Sequence, residues 1–181
     1  MFKVLSCLAT EHDLRLVLLA GLVCFGGCFT AYRVYSRMVA APGAAAGVAW
    51  VGLTGLVAGC SVWATHFIAM LAYSTGLQAG FLPQGTLVSL VIAVAFMAAA
   101  FSAAAAVQGV IGKVGGGLLA GFGVAAMHFT GMAAYVTQGA LTWDRPLVAA
   151  SLVLGPLAGS PPCSWLAAPS ACRSNCWAAW C

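Results

Sequence analysis

A short pattern that contains histidine and methionine occurs twice in the chain, with the two copies 62 residues apart. The first copy reads VWATHFIAMLAY from Val62, and the second reads VAAMHFTGMAAY from Val124, with seven of the twelve positions identical. The whole chain contains only three His and six Met, so two copies of His-x-x-x-Met-x-x-Tyr are hard to attribute to chance. The repeat therefore marks these residues as candidates for a shared chemical role.

On an α-helix, residues four and seven positions apart lie on one face. If both copies are helical, each places an imidazole, a thioether and a phenol in a stripe along its helix. The small residues Ala69 and Gly131 would let the two helices approach closely, as helices do in lipid. Two imidazoles and two thioethers could then converge. The two stripes comprise His66, Met70 and Tyr73 in the first copy and His128, Met132 and Tyr135 in the second.

Such a ligand set suits copper, because thioether sulfur favours Cu(I) and imidazole accepts either oxidation state, while hard oxygen ligands are absent. Zinc fits less well without a thiolate or a carboxylate. The alternative is that each His is buried and bonded to a backbone carbonyl or a hydroxyl, with the Met residues as ordinary packing. We favour the metal site because the pair is duplicated at matched depth. The candidate ligands are His66, Met70, His128 and Met132, with Met127 as a weaker one because it points about 100° away from His128.

Four other side chains are less suited to the site. His12 lies between acidic residues outside the apolar runs, and we expect it to be solvated or at the membrane interface. We expect Tyr73 and Tyr135 to anchor their helices at that interface. Trp63 is expected to contribute packing.

The composition is that of a protein in a lipid bilayer. Of the 181 residues, 63% are hydrophobic and only 6% are charged, whereas a soluble domain is about half apolar and about a quarter charged. The charges lie outside the long apolar runs, inside which each would cost roughly 3 kcal/mol. Because the Lys and Arg residues are scattered singly, we do not expect nucleic-acid binding. We recognise no catalytic nucleophile or acid–base pair, so the sequence does not predict an enzyme.

The apolar runs predict an all-α fold, a polytopic transmembrane helix bundle with four full spans and a partial fifth. A run of 19 residues covers about 28 Å at 1.5 Å per residue, which is close to the thickness of the hydrocarbon core. The fifth run stops before two consecutive prolines and is too short to cross comfortably. The full spans are predicted at residues 14–32, 46–73, 86–107 and 118–137, and the partial one at residues 147–158.

The distribution of basic residues predicts the orientation of the bundle. Arg33 and Arg37 follow the first span and Lys113 lies in the third predicted loop, whereas the loop at 74–85 has no charge. Because cytoplasmic loops are enriched in Lys and Arg, we expect the first and third loops to be cytoplasmic. The N-terminal residues 1–13 would then lie outside, and both motif copies would lie near the outer membrane face.

Residues 159–181 differ in composition from the membrane domain at residues 14–158. From Cys163 onward there are four Cys and three Trp, and there is no Val, Ile, Phe, Met or Gly. We interpret this tail as the result of a truncation or a shifted reading frame after about residue 155, and we expect it to be disordered. The alternative is a genuine cytosolic tail whose cysteines bind a metal, although the spacing of Cys172, Cys176 and Cys181 matches no zinc pattern.

The second copy contains the run Met127-His128-Phe129-Thr130 and resembles the motif for which the MHYT domain of bacterial membrane signalling proteins is named. The first copy has Thr65 where that family has Met. The likeness includes the His12-Asp13 start and the spacing of the spans. It implies a sensory domain of the bacterial inner membrane with further spans and a further motif copy. It also implies a copper site near the outer face that senses oxygen, carbon monoxide or nitric oxide, and a cytoplasmic output domain that makes or degrades cyclic di-GMP.

Two functions remain open at this point. The first is a sensory domain that binds copper through the paired motifs, senses a diatomic gas or redox state, and acts on a signalling output protein or an oligomer partner. The second is a redox membrane protein in which His66 and His128 are the axial ligands of a haem. A metal transporter is less suited, because no line of polar residues crosses the membrane. If the tail reflects a shifted frame, the chain could also be a non-functional fragment of a larger sensor.

Overall fold

The structure, a computed structural model, describes residues 12–40, 44–73, 79–107, 109–137 and 144–159. Within these ranges the chain forms five helices and two short strands. The helices are α1 (Leu14–Ala40), α2 (Ala44–Ala72), α3 (Pro83–Ala106), α4 (Val110–Ala133) and α5 (Arg145–Gly159), and the strands are β1 (Ala79–Phe81) and β2 (Tyr135–Thr137).

Helices α1 to α4 are each long and apolar enough to cross a bilayer. The shortest of them has 24 residues and is about 36 Å long at 1.5 Å per residue, more than the ~30 Å of the hydrocarbon core. Helix α5 has only 15 residues, with Pro156 inside it, and is about 22 Å long. The predicted all-α bundle with four full spans and a partial fifth is therefore confirmed. The tail beyond residue 159 lies outside the described residues.

The helices extend further than predicted at the end of the bundle that carries Arg33, Arg37 and Lys113. Helix α1 continues to Ala40 instead of stopping at residue 32, so Arg33 and Arg37 are part of it. Helix α4 begins at Val110, so Lys113 lies in its first turn and not in a loop. A long basic side chain can extend from a helix to the interface, so its position marks the edge of the hydrocarbon and not the end of the helix.

Strands β1 and β2 pair antiparallel at the opposite end of the bundle, which we call the strand end. Ala79 lies opposite Thr137 and Phe81 opposite Tyr135. The prediction that the fourth span reaches residue 137 is therefore wrong, because the chain leaves the helix after Ala133 to pair with β1. This sheet connects the segment between α2 and α3 to the segment that follows α4.

Each helix packs mainly on its neighbour in sequence, in the order α1, α2, α3, α4 and α5. The motif helices α2 and α4 both pack along α3 and make only a narrow contact with each other. Glycines allow these interfaces to be close: a Cβ on Gly59 of α2 would lie 2.6 Å from the Cα of Val94 in α3, and one on Gly121 of α4 would overlap the backbone of Pro156 in α5. Such backbone contact is how helices associate where lipid removes the hydrophobic driving force.

The outward surface of the bundle is apolar. Large side chains such as Leu18 on α1 and Ile111 on α4 are 70% and 80% exposed, which would be unfavourable over such an area in water. One cluster of buried side chains consists of four alanines and one methionine: Ala31, Ala58, Met97, Ala100 and Ala120. This arrangement fits a bundle whose solvent is the lipid.

Candidate metal centre

The two motif histidines meet where α2 and α4 make their narrow contact. His66 lies in the last two turns of α2, and His128 lies in the last two turns of α4. Their imidazole centroids are 4.9 Å apart, and the ring planes cross at 74°. Residues 62 positions apart in sequence therefore come together as an edge-to-face pair within the bundle, close to its strand end.

One nitrogen of this pair has no hydrogen-bond partner within the described part of the chain. The Nε2 atom of His66 is buried and makes no hydrogen bond to any described residue, and the same is true of the hydroxyl of Thr65 beside it. A buried polar atom left unpaired costs about 1–3 kcal/mol. The sequence left open that a backbone carbonyl or a hydroxyl forms a hydrogen bond with each histidine. That alternative does not hold for this nitrogen. An unpaired imidazole nitrogen next to a second imidazole is a ready ligand for a metal ion.

The candidate thioethers lie close to the imidazoles along the chain. Met70 and Met132 each follow the histidine of their copy by four residues, which places them one turn nearer the strand end on the same helix face. Both side chains are half-buried. Met127, the weaker candidate, is only 1% exposed and is packed in the interior of the bundle.

The third member of each predicted stripe is not on the helix. Helix α2 ends at Ala72 and α4 at Ala133, so Tyr73 and Tyr135 both lie beyond the helical stripe. Tyr135 belongs to β2, and Tyr73 forms an isolated backbone bridge with His12. The prediction of three-residue helical stripes is therefore wrong at both tyrosines. The sequence repeat thus extends beyond the helices, since in both copies the tyrosine lies after the last helical residue.

His12, which we expected to be solvated or at the membrane interface, lies just before the start of α1. It is half-buried, and its ring packs on that of Tyr73 with the centroids 5.1 Å apart. The amide of the following residue, Asp13, donates a hydrogen bond of 2.8 Å to the carbonyl of Ala72. The start of α1 is thus fastened to the end of the first motif copy. The sequence signal for this contact was the His12-Asp13 start that the resemblance included.

A chain of aromatic rings connects the histidine pair to the strand end. The ring of Phe67 lies 5.1 Å from that of His66, 4.7 Å from that of Trp63 and 4.9 Å from that of Phe81, centroid to centroid. Phe81 in turn lies 5.1 Å from Tyr135 across the sheet. We call Trp63, Phe67, Phe81 and Tyr135 the aromatic cluster. Sequence reasoning assigned Trp63 only to packing and missed Phe81, whose single signal was an aromatic ring in a loop of small and polar residues.

Gly131 provides the close approach between the motif helices. A Cβ at this position would lie 3.2 Å from the Cζ atom of Phe67 and 3.7 Å from the Nε2 atom of His66. Ala69, which we expected to share this role, is exposed and does not. The two copies are alike in sequence, but only the second presents a bare backbone to the other helix.

The remaining metal-binding side chains add no further cluster. Among the described residues, His, Cys, Asp and Glu form no group of three or more that could hold a metal ion. A site at the histidine pair would therefore combine two imidazoles with thioethers. The candidate cysteines of the tail, Cys172, Cys176 and Cys181, lie outside the described residues.

Comparison with known families explains the duplication. The model of the MHYT family, described as "Bacterial signalling protein N terminal repeat", matches residues 59–117 and 121–168, which together make up more than half of the chain. The chain belongs to the MHYT family. Its two matched repeats begin 62 residues apart, at 59 and 121, the same offset as that between the two histidines. The second match continues to residue 168, beyond the point at which we expected the resemblance to stop.

Two curated relatives place this MHYT domain in longer signalling proteins. An "Uncharacterized signaling protein" of Caulobacter vibrioides is 57% identical over 155 residues, which cover 86% of this chain and 19% of the relative. The "Bifunctional diguanylate cyclase/cyclic di-GMP phosphodiesterase MucR" of Pseudomonas aeruginosa is 30% identical over 161 residues, 88% of this chain and 23% of the relative. The chain thus spans about a fifth of the length of these relatives. No solved structure matches it. The chain is a sensory domain of membrane signalling proteins.

Proposed function

We propose that this MHYT domain holds a copper ion between His66 and His128 and uses it to sense a diatomic gas (oxygen, carbon monoxide or nitric oxide) or redox state. The observation that carries the proposal is the contact between the two motif imidazoles, 4.9 Å apart, with the buried Nε2 atom of His66 left without a partner among the described residues. Met70 and Met132, one turn away on the same faces, are the candidate thioether ligands.

The donor set fits copper better than other common metals. Imidazole nitrogen and thioether sulfur suit Cu(I), and the described part of the chain brings no carboxylate or thiolate into a cluster with the histidines. Bound there, copper would supply a soft, redox-active centre in a medium of low polarity. The imidazoles are half-buried, and the aromatic cluster shields them on one side. Only small molecules would therefore reach the copper.

The fold offers a route from the site to an output. Helices α2 and α4 make only a narrow contact with each other. A copper ion bonded to one histidine of each helix would therefore control the distance between them. A signal must favour one of two helix packings by binding it more tightly, since equal affinity shifts no equilibrium. Helix α3 packs along both motif helices, so a shift of either motif helix would also affect the packing of α3.

The output is proposed from the relatives. MucR is named as both a diguanylate cyclase and a cyclic di-GMP phosphodiesterase, and the matched segment is a small part of it. We propose that the MHYT domain biases an output of this kind, in a longer chain or in a partner protein. The domain itself contributes sensing and not catalysis.

We further propose that the domain lies in the bacterial inner membrane with the strand end outside. Arg33, Arg37 and Lys113 lie at the end of the bundle opposite the strands, in the last turns of α1 and the first turn of α4. The described basic residues of the strand end, Arg15 and Arg145, are each close in sequence to an Asp. Clustering of Lys and Arg at one end favours that end as cytoplasmic. The proposed metal site would then be near the outer face.

A haem held by both histidines is the second candidate. In that arrangement the porphyrin lies between the two axial rings, which must stand apart on its two faces. The imidazoles are instead in direct edge-to-face contact, so α2 and α4 would have to separate to admit it. The contact favours a single ion over a haem.

Metal analysis combined with an absorption spectrum of the purified protein tests the proposal. We expect copper in stoichiometric amount after loading with Cu(I), and no Soret band. A strong Soret band in protein purified from cells supplied with haem would show that the cofactor is haem and not copper. Failure to retain any copper after loading would contradict the proposal.

A further inference from the structure

Gly131 and its counterpart Ala69 have different surroundings in the two motif copies. Both follow their histidine by three residues. Ala69 is exposed, whereas Gly131 is buried and faces α2, where a Cβ would lie 3.2 Å from the Cζ atom of Phe67 and 3.7 Å from the Nε2 atom of His66. The Nε2 atom of His66, which has no hydrogen-bond partner among the described residues, therefore faces α4 at the one position of the motif where α4 has no side chain.

The ring of Phe67 has little freedom to move away from Gly131. It is 8% exposed and is packed against the rings of Trp63 and Phe81 at centroid distances of 4.7 Å and 4.9 Å. The indole of Trp63 is itself fixed, because its Nε1 atom donates a 3.1 Å hydrogen bond to the hydroxyl of the buried Ser89. Well-packed rings transmit a displacement to their neighbours instead of absorbing it.

The position of Phe67 affects His66 directly. The two rings are in edge contact at 5.1 Å, with planes crossing at 80°, and the two residues are adjacent in the chain. Any group that pushes the ring of Phe67 away from α4 will therefore also change where His66 presents its Nε2 atom.

From this geometry we infer that Gly131 is a positioning residue for the proposed copper site: its bare backbone seats Phe67 against α4, and Phe67 in turn holds the Nε2 atom of His66 toward α4 as the ligand nitrogen. The inference rests on the proposed function for its metal and adds to it which nitrogen binds and what orients it. Ligands must be held within about 0.5 Å of their productive places, so an added methyl group at residue 131 is large enough to matter. Gly131 touches no metal itself and acts through Phe67 and His66.

The test compares Gly131→Ala with Gly115→Ala in the full chain. Both glycines lie in α4, and a Cβ on Gly115 would meet nothing within 4 Å, so the control carries the same change in helix propensity without the contact. We expect Gly131→Ala to lower the affinity for Cu(I), measured by competition with a chelator, at least ~10-fold relative to Gly115→Ala. Equal affinity in the two variants would overturn the inference.

A second substitution separates positioning from general packing. Phe67→Leu shortens the side chain that the new methyl group would meet, so we expect Gly131→Ala with Phe67→Leu to bind Cu(I) more tightly than Gly131→Ala alone, as coupled neighbours do. Purely additive losses would contradict a route through Phe67. If Gly131→Ala does not accumulate in membranes, Phe67→Leu alone must lower the affinity, and an unchanged affinity would overturn the inference.

A measurement on metal-free protein keeps this inference distinguishable from the proposed function. Solid-state NMR of protein labelled at His, Phe and Gly should show cross-peaks from the α-carbon of Gly131 to the ring of Phe67 and to the Cδ2 carbon of His66, which is bonded to Nε2 and not to Nδ1. Their presence in a protein that binds no copper would support the orientation while the proposed function fails. Contact of Gly131 with the Nδ1 side of His66 instead would overturn the inference.

Discussion

His66 and His128 occupy equivalent positions on two helices that otherwise barely touch, and this makes a shared ion a cross-link between them. Each imidazole supplies one bond, and neither helix carries a second histidine within the described residues. Removal of either ring leaves a single imidazole, which cannot form the cross-link alone. The two histidines should therefore behave as one unit.

We expect His66→Ala and His128→Ala each to lower the affinity for copper by roughly ten- to a thousandfold, and the double variant to resemble the single ones, because residues of one site are coupled and not additive. Competition with a chelator measures the affinity of each protein. His12→Ala is the control, since that ring packs on Tyr73 and not on the pair. A larger loss in His12→Ala than in either motif variant would move the site away from the repeat.

At the scale of single residues, the sequence predicted that the two motif histidines could converge, but it did not predict which residues surround them. The spacing of His66 and Met70 could be read locally, because residues of one helix turn are neighbours whatever the rest of the fold does. Phe81 and Gly131 could not be recognised, since their roles depend on contacts with Phe67 in another element. The tyrosines were assigned to the stripes because periodicity does not reveal the residue at which a helix ends.

At the scale of the elements, the order of packing follows from connections that join neighbouring helices. The interfaces depend on glycines that allow the backbones to touch, as between α2 and α3 and between α4 and α5. Hydropathy alone predicted the four spans. It could not predict β1 and β2, because Ala79 and Thr137 lie far apart in sequence and each strand has only three residues.

Gly59→Ala should destabilise the bundle by about 1–3 kcal/mol, the usual cost of adding a methyl group to a close-packed interface. The new Cβ would lie 2.6 Å from backbone atoms of Val94, which cannot turn aside as a flexible side chain can. Thermal unfolding in detergent measures the effect, with Gly52→Ala on the same helix as the control, because a Cβ there meets nothing within 4 Å. Equal stability of the two variants would show that α2 and α3 are not in backbone contact.

The orientation can be checked with two single cysteines in a cysteine-free background. Gly80 lies in β1 and Gly115 near the start of α4, at opposite ends of the bundle, and both positions have room for a side chain. We expect a membrane-impermeant thiol reagent to label Gly80→Cys in intact cells and to label Gly115→Cys only after the membrane is opened. The reverse pattern would place the strand end, and the histidine pair with it, at the cytoplasmic face.

For the molecule as a whole, the family repeat accounts for its construction: the two matched segments each carry one histidine motif near their start, and the fold brings the two motifs together. The chain covers about a fifth of two relatives, one named as a signalling protein and the other as a diguanylate cyclase and cyclic di-GMP phosphodiesterase. A sensory domain of this design needs an output, which the proposal assigns to the longer chain or to a partner. The domain contributes a site whose state can alter helix packing.

Removal of residues 162–181 should leave membrane insertion and copper affinity nearly unchanged, because the proposed ligands all lie in α2 and α4. Fractionation of membranes and competition with a chelator measure the two properties. The full chain with its four tail cysteines replaced by serine is the matched control, since thiols alone can bind Cu(I). Loss of copper in both proteins would assign the metal to the tail and withdraw the shifted-frame interpretation of that segment.

X-ray absorption at the copper edge of Cu(I)-loaded protein tests most directly whether the paired motifs bind copper. We expect scattering from two imidazole rings together with thioether sulfur, and loss of the imidazole contribution in the variant that carries both His66→Ala and His128→Ala. A spectrum dominated by sulfur alone, and unchanged in that double variant, would contradict it.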